Sequence, residues 1–140
     1  MRAFPILLAA ATAIACQPAG AAVTKFQVEM TGAAEVPGPG ADKGMGEASL
    51  SFDTDKSQVC YMLHAMGTDT PTMAHIHKGA AGAAGGVVVA LTAPANGMAE
   101  GCAPVPADAM GDILAHPADY YVNVPSAAFP RGAMRGQLSK

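Results

Sequence analysis

Between residues 24 and 30 the chain alternates. Phe26, Val28 and Met30 fall on one side, and Lys25, Gln27 and Glu29 on the other. That is the period-two pattern of a strand buried on one face. The pattern returns at 47–52 through Ala48, Leu50 and Phe52. Residues 58–65 read as a third strand, apolar on both faces, and 73–77 as a fourth with Ala-His-Ile-His at its heart. Further strands are predicted at 87–91, 97–103, 120–124 and 133–138. The segments between carry breakers: Pro37-Gly38-Pro39-Gly40 in a long loop, Asp53-Thr54-Asp55-Lys56 in a turn, a polar turn at 67–72, and Lys-Gly-Ala-Ala-Gly-Ala-Ala-Gly-Gly at 78–86. One helix is predicted, at 106–115. Pro106 stands near its start, Met110, Ile113 and Leu114 form its stripe, and Pro117 stops it. Six to eight short strands with regular turn signals predict an all-β antiparallel sandwich or barrel.

The first residues read differently. Arg2 is followed by an apolar run at 4–14, shorter than the roughly 20 residues a membrane span needs. Small residues follow and end at Ala22, which predicts a secretory signal peptide over 1–22 and a mature domain over 23–140. Ala13-Ile14-Ala15-Cys16 resembles a lipobox, so the alternative is a lipoprotein anchored to a membrane through Cys16. Both fates export the chain, to the periplasm, the exterior or a membrane surface. No later run is long enough to span a membrane.

Composition narrows the partners. Asp and Glu number 11 against 8 Lys and Arg, and no basic patch exists, which argues against nucleic acid. Of three cysteines, Cys16 leaves with the leader or carries the lipid. Cys60 and Cys102 then form an even pair in an oxidising compartment, and a disulfide is expected.

No Gly-x-Ser-x-Gly frame, His-Glu-x-x-His or P-loop occurs, so the sequence offers no enzyme signature. The chemical candidates are histidines. His75 and His77 are two apart in a strand and project from one face, where two imidazoles can share a metal. His64 lies on the preceding strand between Met62 and Met66, and Met73 shares the parity of His75 and His77. Imidazole with thioether points to copper. A hairpin across 67–72 would set Met66 opposite Met73, His64 opposite His75 and Met62 opposite His77, with all six on one face. The competing reading is structural histidines and core-filling methionines. Only four histidines occur, too few for a dinuclear site of the superoxide dismutase kind, and His116 reads as a helix-end cap or a solvated residue.

Four segments carry a resemblance. They are Ala34-Glu35-Val36-Pro37, Ala74-His75-Ile76-His77-Lys78-Gly79, Tyr120-Tyr121-Val122-Asn123-Val124, and the run from Phe129-Pro130-Arg131-Gly132 to Arg135-Gly136-Gln137-Leu138. In this order they resemble the CHRD (chordin) domain family, in its small exported bacterial form. The resemblance implies an immunoglobulin-like or superoxide-dismutase-like β-sandwich of about seven to eight strands with one short helix. It also implies that Glu35 and Arg135 approach each other. The family commonly has a His after this Val-Asn-Val, and here Pro125 stands there. The functional expectation is an exported, non-enzymatic binding or structural module. The alternative is a periplasmic copper-type protein. The partner is accordingly a protein or a metal ion.

Overall fold

The computed structural model describes residues 22–139. The signal peptide expected over 1–22 and the lipobox at Cys16 lie, except for Ala22, outside the described residues. Eight strands form: β1 (Val23–Thr31), β2 (Met45–Asp53), β3 (Gln58–Met66), β4 (Ala74–Lys78), β5 (Val87–Leu91), β6 (Met98–Pro104), β7 (Tyr120–Val124) and β8 (Met134–Gln137). The one α-helix among the described residues, α1 (Ala107–Ala115), stands between β6 and β7. Each strand and the helix fall within two residues of the positions the hydrophobic pattern predicts.

All eight strands join one antiparallel sheet in the order β5-β4-β7-β8-β1-β2-β3-β6. The two edge strands, β5 and β6, approach each other, so the sheet is nearly closed into a barrel. Alternation explains the closure: one parity of every strand is apolar and must be covered. Phe26, Val28 and Met30 of β1 meet Leu50 and Phe52 of β2, Val59, Leu63 and Ala65 of β3, and Ile76, Val122 and Met134 from the other half, in a single core. Phe26 and Phe52 pack edge to face at 5.8 Å. Helix α1 adds Met110 and Ile113 to that core.

The hairpin expected between β3 and β4 does not form. Both edges of β3 are taken, by β2 from Met45↔Met66 to Asp53↔Gln58 and by β6 from Gln58↔Pro104 to His64↔Met98. Both edges of β4 are likewise taken, by β5 and β7. The connecting segment is longer than a tight hairpin turn. It holds Pro71, which bridges to Ser126 beyond β7 and so carries the chain to the other half of the sheet. The expected register Met66–Met73, His64–His75, Met62–His77 is therefore corrected.

Cys60 and Cys102 face each other across β3 and β6 and are joined in the expected disulfide.

Candidate functional site

The outer face of β4, β7 and β8 carries the densest polar chemistry. Ala74 and Ile76 enter the core, so His75 and His77 point outward. The register sets His75 beside Asn123 and His77 beside Tyr121. On the next strand, Asn123 meets Arg135 and Tyr121 meets Gln137. This outer face is nevertheless covered. Tyr121, Asn123 and Arg135 are each less than 5% exposed, because the small-residue segment 79–86 lies across Tyr121 and Arg135 and Glu35 and Gly132 lie against Asn123.

Arg135 is the centre of that cover. Its guanidinium sits 3.7 Å above the Tyr121 ring. It donates to the carbonyl oxygens of Ala83 at 2.9 Å and Ala80 at 3.3 Å. Gln137 donates to the Gly79 carbonyl at 2.6 Å, and the Gly85 amide donates to the Tyr121 hydroxyl at 3.2 Å. The segment that reads as a linker is thus held by side chains of the sheet. Its glycines are what let it lie so close: a Cβ at Gly85 would run into the Lys78 carbonyl.

Glu35 is buried beside this network, 7% exposed. Asn123 donates to its carboxylate at 2.6 Å. Burial pushes its pKa from 4.5 up to about 7, and the Asn123 bond and the Arg135 charge only partly oppose the rise. Gly132, at φ 154°, leaves room for this contact, since a Cβ there would strike the carboxylate and the Asn123 amide. Glu35 feels the charge of Arg135, and both side chains are buried. They are not directly paired: the ion pairs among the described residues are Lys56–Asp53, Lys78–Asp112 and His116–Asp112.

The two histidines of the motif do come together, their rings edge to face at 5.4 Å. His77 stacks on Tyr121 at 4.9 Å, and its Nδ1 lies 2.9 Å from the Gly85 carbonyl. That contact places the proton on Nδ1 and leaves Nε2 as an acceptor. Burial lowers the pKa of both. For His75 the neighbouring His77 adds to the fall. For His77 the Gly85 bond opposes it and the Arg135 charge adds to it. His77 Nε2, His75 Nδ1 and Asn123 Oδ1 are all buried without a hydrogen-bond partner. Two neutral imidazoles and an amide oxygen could hold a water or a small ion, although the nearby guanidinium disfavours a cation.

His64 is on the other half of the sheet. With β3 between β2 and β6, its neighbours are Glu47 on one side and Met98 on the other. Met62 and Met66 flank it along β3, as the parity predicts, and Met45 lies opposite Met66. Met73 is exposed, just before β4, and is remote in the strand order from His64. The candidate set His64, Met62, Met66, Met73, His75 and His77 is therefore split by the fold.

A third cluster escaped the sequence reading. Asp112 on α1 accepts from Lys78 at 2.6 Å and from the Tyr120 hydroxyl at 2.5 Å, and pairs with His116 at 3.0 Å. These partners, Lys78 first, hold its carboxyl far below the usual carboxylate range. His116 does cap α1, with its backbone amide donating to the Asp112 carbonyl. The cluster fastens the helix to the ends of β4 and β7. Only the Asp112–His116 spacing was visible beforehand.

Among the described residues no three His, Cys, Asp or Glu side chains converge as a metal site, and no helix is long and apolar enough to cross a membrane. The family model of the CHRD domain matches residues 26–138. No curated protein and no solved structure matches the chain.

Proposed function

The chain belongs to the CHRD domain family, across nearly its whole length, and from that membership we propose an exported, non-enzymatic module that acts by binding. CHRD is an extracellular-type domain, and the Cys60–Cys102 disulfide fits an oxidising compartment. Export by a cleaved leader, or retention by a lipid on Cys16, completes the reading.

One observation carries the non-enzymatic part. Outside the His75–His77 pair, whose His75 Nδ1 and His77 Nε2 are buried and unpartnered, the polar groups with catalytic potential are engaged in holding structure. Arg135 is held by two loop carbonyls and an aromatic ring, Glu35 is buried against Asn123, and Asp112 is surrounded by three donors. A general acid or base must instead face substrate. The module would present a fixed outer surface, with the network keeping its loops in place.

The test is native mass spectrometry on protein isolated from the exported fraction of its own host. A stoichiometric bound component, protein or small, supports the reading. A native mass equal to that of the bare chain, in a folded protein under every gentle extraction, refutes it. The mass of the N-terminal residue in the same experiment separates a chain beginning near Val23 from one beginning at a lipidated Cys16.

A further inference from the structure

We propose that the outer face of β2, β3 and β6 is a site for a soft monovalent metal, Cu(I), held by His64 with the thioethers of Met45, Met66 and Met98. This inference rests on the binding reading above and names its ligand.

The register supplies the geometry. In one outward row His64 stands between Glu47 and Met98, and in the next Met66 stands opposite Met45. Met62, two residues before His64, closes the opposite side. Directly opposed Cβ atoms in such a sheet lie about 4.5–5.5 Å apart and diagonal ones about 7–8 Å. Methionine has three freely rotating side-chain bonds, so thioethers at these positions reach a common point beside the imidazole. Met45, Glu47, His64 and Met66 already line one shallow hollow, with Glu29 and Thr31 at its rim.

Exposure supplies the second argument. Met30, Met110 and Met134 are buried, as methionines in a core should be. Met45, Met62, Met66, Met73 and Met98 are between 43% and 60% exposed. Four of those five surround His64. Core filling does not account for thioethers standing in water on a sheet face.

Donor chemistry selects the ion. Thioether and imidazole together favour Cu(I), whereas carboxylates and carbonyls suit harder cations. A zinc-type site needs several His, Cys or carboxylate ligands, and no three converge among the described residues. Glu29, Glu47 and Glu100 occupy flanking outward positions, and no Lys or Arg stands in their rows on β1, β2, β3 and β6; Arg135 enters the Met45–Met66 row only beyond Thr31, two strands from Met45. The local field therefore favours a cation. The covered His75–His77 pair lacks this, because Arg135 lies beside it.

The experiment uses the exported chain with its disulfide intact. Cu(I), kept reduced with ascorbate, is titrated against a chromophoric competitor. One equivalent is expected to bind more tightly than about one micromolar, and the double variant Met66→Leu/Met98→Leu to weaken binding by about 100-fold. The leucines preserve size and exposure, so folding is retained. His64→Gln should weaken binding as well, and His75→Ala/His77→Ala should leave it unchanged. A site-resolved readout comes from methionine methyl NMR with Ag(I) as a redox-inert probe. The Met45, Met66 and Met98 signals should shift while Met73 stays in place. No stoichiometric Cu(I), binding that survives loss of both thioethers, or binding lost with His75 and His77 in a folded protein would each overturn the site. A native protein carrying some other component, with no affinity for Cu(I), sinks this inference and leaves the binding module standing. A bare native protein that also fails to bind Cu(I) sinks both.

Discussion

Replacing Glu35 with Gln removes a charge and keeps the shape. The amide oxygen still accepts from Asn123, and the side chain still fills its place beside Gly132. Only the ionisation is lost. Glu35 in the folded chain titrates near 7 against 4.5 for the free group. A raised acid pKa means that the folded state holds the proton more tightly than the unfolded state. Its contribution is therefore fully present below about pH 4.5 and is lost as pH rises through 7. At about 1.4 kcal/mol per unit the shift corresponds to roughly 3 kcal/mol. Glu35 is buried under loop backbone outside the barrel core, where solvent still screens it, so about 1–2 kcal/mol is the better expectation.

The assay is urea unfolding of wild type and Glu35→Gln at constant ionic strength, between about pH 5 and pH 8. The variant should match wild type at the acid end and exceed it by about 1–2 kcal/mol at the alkaline end. His75 and His77 pull stability in the opposite sense with pH. They are the same in both proteins and cancel in the difference. A difference that does not change with pH would refute the reasoning. So would a variant that loses ground above pH 7, because the Arg135 charge would then outweigh burial.

Three further outcomes follow from the same structure. Removing the Cys60–Cys102 bond, by a double Ser substitution or by reduction, should lower stability by roughly 3–4 kcal/mol; a reactive thiol at either position in the native protein would contradict the bond. Arg135→Ala should cost about 3 kcal/mol, since it uncovers Tyr121 and frees two carbonyls. It should also speed amide exchange across residues 80–86, and unchanged exchange there would mean that Arg135 does not hold the segment. His75 and His77 should each titrate below the ordinary imidazole value of 6.5 in proton NMR, so their contribution is present above that value and lost as pH falls; a midpoint at or above 6.5 for either ring would show that it is not desolvated.

Strand positions were legible because a strand buried on one face must alternate, and β1 does so from Phe26 to Met30 and β2 from Ala48 to Phe52. The disulfide was legible by counting, once Cys16 was set aside. The partner of β3 was not. Parity assigned His64, Met62 and Met66 correctly to one face, but parity says nothing about which strand lies alongside. The length of the link after Met66 and its Pro71 were the available signals against a hairpin. The cover over Arg135 was hidden for another reason. Its acceptors are backbone carbonyls in a run of Gly and Ala, and no side-chain pattern marks where a backbone oxygen will point. Met98 and Met45 lay too far from His64 in sequence to be associated with it, and only the β2-β3-β6 register unites them.

The place of β1 in the sheet has a kinetic consequence. Synthesis delivers β1 first and β8 last, yet the two are neighbours, meeting at Thr31 and Arg135. β1, β2 and β3 can pair as soon as they emerge, because they form a meander. The other edge of β1 stays open until β8 arrives. β7 likewise cannot join the first half before β8 bridges them. A sheet paired only as far as β1, β2 and β3 would show an apolar face and unpaired edges, the kind of species that aggregates. Closure over such a sequence separation is slow by nature, so the last strand to appear governs when the domain becomes safe from its neighbours.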